Sequence, residues 1–217
     1  MSRSRVELAH LRLTVTDGVI RSDELRAAGV SGYAVSARCR PSGPWQRLLP
    51  GVVLMTTGPP TRLQRLRAAV AYAGAGSLVT GADALRAQGI PVPAPAEVLV
   101  LLPATRRAAS RSDLTVERTA RLPIPVWRDA VPYAPLTRAT IDAARHEHEL
   151  ERLHTILYTP LQADACTVTD LLAELSAGNQ RGSAAPRAVL TRWLIHNEPI
   201  VLPPSGLSAD LGSAASF

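Results

Sequence analysis

The chain has 217 residues, of which 46% are hydrophobic, 19% charged and 4% aromatic. This composition is typical of one large globular domain or two small ones. It excludes collagen-like and low-complexity chains, because 14 glycines and 18 prolines are too few and too scattered. The 24 basic residues are all arginine and outnumber 18 acids, which gives a net charge of +6. A positive charge favours polyanionic partners, such as nucleic acids or anionic membranes.

Nothing in the sequence predicts export or membrane insertion. The N-terminal sequence MSRSRVELAHLRL has no apolar segment of signal-peptide length. The longest apolar runs, such as Val98–Leu102, are much shorter than the ~20 residues of a membrane-spanning helix. Cys39 and Cys166 are isolated, which favours free thiols in a reducing compartment. We therefore expect a soluble, cytoplasmic protein with no membrane partner.

The charge is divided unevenly along the chain. Residues 1–67 contain 11 arginines and 4 acids, and residues 68–140 contain 8 and 5. Residues 141–217 contain 5 arginines and 9 acids. A basic first third and an acidic last third indicate different roles for the two ends.

The first third predicts short helices followed by a β-hairpin. A helix at Val6–Leu13 and a turn at residues 16–18 come first. Ser22 is expected to cap a second helix that ends at Gly29, and Ser31 to cap a third. The predicted elements that follow are the third helix at Gly32–Arg40, which Pro41 ends, and strands at Trp45–Leu49 and Gly51–Met55 about a Pro50-Gly51 turn. Two short helices joined by a short turn and followed by a hairpin are typical of a winged helix-turn-helix.

The remaining sequence predicts a small α+β unit and then a helical region. The middle unit contains a helix at Arg62–Ala73, a helix from a capping box at Thr80–Asp83 to Gln88, strands at Glu97–Leu102 and Leu114–Thr119, and a hairpin of Val126–Arg128 with Val131–Tyr133. A polar, basic loop lies between the two longer strands. Further helices are predicted from residue 137 or 138 to Tyr158, with a break near Arg145–His148, and at Thr167–Ala177 and Pro186–His196.

These elements predict an α+β protein. Its expected parts are a winged helix-turn-helix at 1–58, a small α+β domain at 59–136, a helical C-terminal region at 137–198 and a flexible tail at 199–217.

The predicted third helix and hairpin carry the candidate DNA-binding residues. The second helix of a helix-turn-helix enters the major groove with its N-terminal residues towards the bases. On this basis the candidates are Ser31, Gly32, Tyr33, Ser36, Arg38, Arg40, Gln46 and Arg47. Ser31 and the helix N-terminus are expected near a phosphate, Arg38 near a guanine or a phosphate, and Arg47 near a phosphate or the minor groove. Alternatively, Val35 and Trp45 form a core, and the arginines only face solvent.

Enzyme activity is not expected. The sequence contains neither GxGxxG nor GxSxG, and the absence of lysine excludes a P-loop. The segment from His146 to Glu151 is not HExxH, and a solvated, charged helix explains it better than a metal site. Arginines near Cys39 are expected to lower its pKa, but no histidine partner is evident. Glu97 resembles a nuclease carboxylate, although neither a partner aspartate nor a following lysine is apparent. No cofactor or metal is expected.

The segment RSDELRAAGVSGYAVSARCRPSGPWQRLLPGVVLMTTGPPT resembles the winged helix-turn-helix of actinobacterial AbiEi-type antitoxins, of the abortive-infection, type IV toxin–antitoxin group. The most similar part is Trp45–Val53, close to a W-x-R-l-x-p-G-v-Y pattern, with Val53 in place of the tyrosine. VPYAPLTRATIDAAR is similar to the family's P-v-t-x-x-x-R-T-l-x-D-x-A segment and matches it at Pro135, Thr137, Arg138, Ala139, Thr140 and Asp142. The resemblance covers about residues 17–200. It implies a DNA-binding regulator or antitoxin. Some longer relatives also carry a nuclease-like domain, but this chain lacks the carboxylate motif of that domain, so no nuclease activity is expected.

The leading hypothesis is a sequence-specific transcriptional regulator that binds double-stranded DNA, with a homodimer as one possible assembly. The alternative is an antitoxin that neutralises a nucleotidyltransferase-like toxin by protein contact, with its acidic last third facing a basic toxin surface. A regulator that responds to a small molecule is a third reading, for which the sequence identifies no pocket.

Overall fold

The computed structural model of the protein describes residues 16–196, and this part has a mixed α+β fold with two sheets. The helices are α1 (Ser22–Ala27), α2 (Gly32–Arg38), α3 (Arg62–Ala73), α4 (Ala82–Ala87), α5 (Leu136–His146), α6 (Leu150–Gln162), α7 (Val168–Ala177) and α8 (Ala184–His196). The strands are β1 (Val19–Arg21), β2 (Gln46–Leu49), β3 (Val52–Leu54), β4 (Leu78–Thr80), β5 (Val98–Pro103), β6 (Leu114–Thr119), β7 (Val126–Arg128) and β8 (Val131–Tyr133). The predicted helix at Val6–Leu13 and the predicted tail lie outside the described residues.

The first sheet is small and antiparallel, with the strand order β1-β3-β2. Helices α1 and α2 lie between β1 and β2 in the chain and cover one face of the sheet. Their shared core consists of Ile20, Leu25, Val30, Val35, Trp45, Val53 and Met55. Each fully buried aliphatic side chain in this core contributes about 1.5–3 kcal/mol to stability. The first sheet and its two helices therefore have a hydrophobic core of their own.

Local signals explain where α1 and α2 begin and end, with two corrections. Ser31 caps α2 as predicted, because its Oγ accepts a hydrogen bond from the Ala34 N–H at 3.2 Å. Ser22 does not cap α1: β1 continues to Arg21, and the Ser22 N–H donates to the Gly51 carbonyl at 2.7 Å. Helix α2 ends at Arg38 rather than residue 40, because the chain turns back there towards the hairpin.

The second sheet has the order β6-β5-β4-β8-β7. β5 pairs with β6, and β4 with β8, in parallel, whereas β4/β5 and β7/β8 are antiparallel. Helices α3, α4 and α5 pack on this sheet, and α6, α7 and α8 pack on α5, in one continuous core that runs from Leu66 to Trp193. Residues on both sides of the predicted 136/137 boundary therefore contribute to a single hydrophobic core.

A buried ion network joins α5 to the second sheet and to α7. The Asp142 carboxylate accepts from Arg138 Nε at 2.9 Å and from the Thr80 hydroxyl at 2.8 Å. Arg145 Nη2 lies 3.0 Å from a Glu117 carboxylate oxygen on β6. Burial raises the pKa of Asp142, and the charge of Arg138 opposes this effect. Arg138 and Asp142 thus form a buried ion pair.

Two predictions in this half of the chain need correction. Thr80 does not cap a helix: it is the last residue of β4, and Gly81, with φ of +70°, precedes α4. The charged segment after His146 is not helical, since α5 ends there and α6 begins at Leu150. The predicted helix break in this region is therefore confirmed. Within residues 16–196, no helix is long and apolar enough to cross a membrane.

Candidate nucleic-acid interface

The N-terminal half of α2 presents an open surface. Tyr33 is 78% exposed, and nothing lies within 4 Å of the position that a Cβ on Gly32 would occupy. Ser31 is also exposed, although its hydroxyl oxygen is engaged in capping the helix. Val35 points the other way, into the core of α1, α2 and the first sheet. Helix α2 therefore has one buried face and one face that is free to contact a ligand.

The hairpin contacts this open face through one arginine. Arg47, exposed on β2, donates from Nη2 to the Ser36 Oγ at 3.0 Å. β2 is an edge strand of the first sheet, so the Arg47 side chain can lie beside α2. The structure thus brings together Tyr33, Ser36 and Arg47 in one exposed region, as a shared binding surface requires.

Arg38 and Arg40 are both candidate DNA-binding residues, but their surroundings differ. Arg38 donates to the Ala34 carbonyl at 3.2 Å, and its guanidinium lies over the Trp45 ring, 5.1 Å from the centroid. Arg40 is exposed just after α2 and forms no ion pair with any described residue. Arg38 therefore covers the tryptophan of the core, whereas Arg40 is free to meet an anion.

Gln46 has a structural role in this arrangement. Its Nε2 donates to the Thr56 carbonyl at 3.0 Å and to the Gly58 carbonyl at 2.7 Å. These bonds fasten the segment after β3 to β2, so the Gln46 amide is already occupied. Trp45 is 3% exposed and belongs to the core, as the alternative interpretation expected.

The basic charge of the first third is only partly available to a ligand. Arg21 hydrogen bonds to Asp23 and lowers the pKa of that carboxyl to about 2. Arg62 pairs with Asp83 at 2.6 Å, and Arg67 pairs with Asp17. These arginines belong to internal ion pairs of the fold.

The thiol of Cys39 is less acidic than the sequence suggested. Burial raises its pKa, and the nearby charge of Arg47 opposes this effect only in part. The expectation of a lowered pKa is therefore wrong, because Cys39 packs against the small core, where the loss of solvent outweighs the charge of Arg47.

A second concave region lies between α4, β5 and the turn before α6. Its volume is about 510 Å³, and its polar lining includes Asp83, Glu97, His146 and Glu147. All three of these carboxylates already have partners: Asp83 binds Arg62, Glu97 accepts from Thr115 at 2.7 Å, and Glu147 binds Arg152 at 2.9 Å. Within the described residues, no group of three histidine, cysteine or acidic side chains is placed to hold a metal ion.

Comparison with solved structures finds proteins of similar fold. No model of a protein family and no curated protein matches the sequence. Among solved structures, the chain is similar to the crystal structure of RV2827C protein from Mycobacterium tuberculosis. The TM-score is 0.56 at 16% sequence identity, and the alignment covers 87% of this chain and 75% of that chain. At this identity the likeness shows a shared fold alone.

Proposed function

We propose that the part of the chain up to residue 58 is a winged helix-turn-helix and that the protein is a sequence-specific, DNA-binding transcriptional regulator. In this proposal α2 is the recognition helix, and the β2–β3 hairpin is the wing. The observation that carries it is the exposed region of Tyr33, Ser36 and Arg47, where the open face of α2 meets an arginine of the hairpin.

The local topology supports the same assignment. Strand β1 is followed by two short helices and then by a hairpin whose strand β3 pairs with β1. A short helix with one free face fits the major groove, which is ~12 Å wide. The flanking arginines can then bind phosphates, which fixes the helix on the duplex.

The chemistry assigns different tasks to the exposed side chains. Arg47 can pair with a phosphate or bidentately with a guanine, and Arg40 supplies a further positive charge at the end of α2. Tyr33 and Ser36 offer hydroxyl groups, which can contact base edges or phosphates. Arg38 contributes indirectly, by holding Trp45 and the start of the hairpin against α2.

Arg47→Ala and Tyr33→Ala test this proposal in binding titrations with the DNA upstream of the protein's own gene. Each variant should lose about 1–3 kcal/mol of binding free energy, which is typical for one direct contact. Arg128→Ala is the matched control, because Arg128 is also exposed but lies on β7, an edge strand of the second sheet. Thermal unfolding verifies that each variant is folded.

Two results would contradict the proposal. Unchanged affinity in both variants would show that α2 and the hairpin are not the DNA-binding surface. Absence of sequence-preferential binding by the unmodified protein, together with recovery of one partner protein in a pull-down, would favour the antitoxin alternative.

A further inference from the structure

The loop between β5 and β6 carries three arginines that the proposed winged helix does not include. Arg106, Arg107 and Arg111 are all exposed. Of the residues that the structure describes, none forms an ion pair with any of the three. The loop is therefore a site of uncompensated positive charge on the second sheet.

Hydrogen bonds hold this loop in one conformation. The Arg106 N–H donates to the Pro103 carbonyl at 2.9 Å, and Ser110 Oγ accepts from the Val116 N–H at 3.0 Å. The Tyr72 hydroxyl of α3 donates to the Ala109 carbonyl at 3.0 Å. The Arg111 guanidinium lies 5.9 Å from the centroid of the same tyrosine ring. The arginines are thus presented by an anchored backbone, so binding an anion orders their side chains without having to order the loop.

The C-terminal end of the loop lies next to the hairpin. A shallow cavity of about 170 Å³ is lined by Leu48 and Leu49 of β2, by Arg65 of α3, and by Asp113 and Leu114 at the start of β6. The Arg111 N–H donates to the Leu114 carbonyl at 2.7 Å, which places the end of the loop beside this cavity. Arg65 is exposed at the cavity, between the hairpin and the loop.

We propose that Arg65, Arg106, Arg107 and Arg111 form a second basic surface, which binds phosphates of the same DNA duplex that the winged helix reads. This inference rests on the proposed function. Leu48 and Leu49, which follow Arg47 in β2, line the cavity together with Arg65, so β2 connects the two basic regions. A duplex seated on α2 and the hairpin can continue along the loop.

The chemistry of the loop favours phosphates over bases. Guanidinium groups form strong, charge-assisted hydrogen bonds with phosphate oxygens. The loop contributes neither a helix nor a β-ribbon that could enter the major groove. Contacts of this kind increase affinity for every sequence and carry no direct sequence information. The second surface should therefore strengthen binding without changing which site is preferred.

The double variant Arg106→Ala/Arg107→Ala tests this surface. Neither side chain has a hydrogen-bond partner among residues 16–196, so the substitutions should leave the fold intact. The matched control is Arg128→Ala/Arg192→Ala, which removes two exposed arginines from β7 and α8. Binding is measured across a series of salt concentrations, on the upstream DNA and on a shuffled duplex of equal length.

The loop variant should bind both duplexes more weakly by the same factor. The magnitude of its slope of log K against log salt should fall by about 2, because each lost phosphate contact removes about 0.9. The control variant should retain the unmodified slope. A loop variant with the slope of the control, while Arg47→Ala still weakens binding, would overturn this inference alone. An unmodified protein that binds neither duplex would overturn the proposed function as well.

Discussion

At the scale of single residues, Arg38, the last residue of α2, and Arg40, just after it, show how neighbouring positions can differ in role. The sequence places Arg38 and Arg40 in one basic segment. In the structure, Arg38 lies over Trp45, and Arg40 faces solvent. The difference depends on the chain returning after α2 to place Trp45 beneath Arg38, with the Trp45 N–H bonded to the Arg38 carbonyl at 3.1 Å.

Arg38→Ala should lower the free energy of unfolding by about 0.5–1 kcal/mol, the typical contribution of a cation–π contact at a partly exposed site. Arg40→Ala is the control and should leave stability within about 0.5 kcal/mol of the unmodified protein. Urea unfolding followed by circular dichroism measures both variants. Equal stability of the two variants would contradict a structural role for Arg38.

Of the predicted capping residues, Ser31 and Gly29 were confirmed, whereas Ser22 and Thr80 were wrong. Ser31 caps α2, and Gly29, with φ of +82°, ends the turn after α1 as its sequence position indicated. Both features depend on residues within four positions along the chain. The hydrogen bonds of the Gln46 side chain could not be predicted, because the carbonyl acceptors of residues 56 and 58 come close only when the hairpin has formed.

At the scale of elements, helices and strands with strong local signals were predicted well. The bounds of α3, β6, β7 and β8 match the predicted residues. Strands β1 and β4 were missed: each has three residues, too few to show a periodicity, and neither lies next to its partner across a short turn, as β7 and β8 do. β1 is defined by its pairing with β3, more than 30 residues later, and β4 by its position between β5 and β8. Such pairing is a property of the folded chain rather than of the segment.

The ion network of α5 gives a prediction at this scale. Asp142→Ala leaves Arg138 and Arg145 buried without their shared carboxylate, and it removes the acceptor of the Thr80 hydroxyl. Breaking such a pair costs about 3–5 kcal/mol of unfolding free energy. Asp113→Ala is the control, because Asp113 is exposed and its carboxylate forms no ion pair within the described residues. Urea unfolding checks the difference, and a loss below about 1 kcal/mol for Asp142→Ala would contradict the account.

At the scale of the whole molecule, α3 connects the two sheets. The Gln64 side chain donates to the Asp17 carbonyl at 3.0 Å, and Arg21 Nη1 donates to the Ala71 carbonyl at 2.8 Å. Arg67 contacts Asp17 on one side and the Asp129 carbonyl, at 2.6 Å, on the other. These contacts fasten the first sheet to the turn between β7 and β8, so the proposed reading surface is held on a larger scaffold.

The distribution of charge is clearer in the structure than in the sequence. Counting residues assigned the positive excess to the first third of the chain. Ion pairs neutralise Arg21, Arg62 and Arg67, and among the described residues Arg40 and Arg47 are exposed arginines near α2 without an ion pair. In the proposed second basic surface, arginines of the β5–β6 loop, from the middle third of the chain, join Arg65 of the first third. The basic surface thus combines residues from both sheets, which no division of the sequence into thirds could reveal.

A genome-wide binding map of the tagged protein tests the central proposal most directly. The unmodified protein should occupy a small number of discrete sites that share one sequence motif. A Tyr33→Ala/Arg47→Ala variant, expressed at the same level, should lose them. A map of the unmodified protein without enriched sites, or sites that persist in the variant, would contradict DNA reading by α2 and the hairpin.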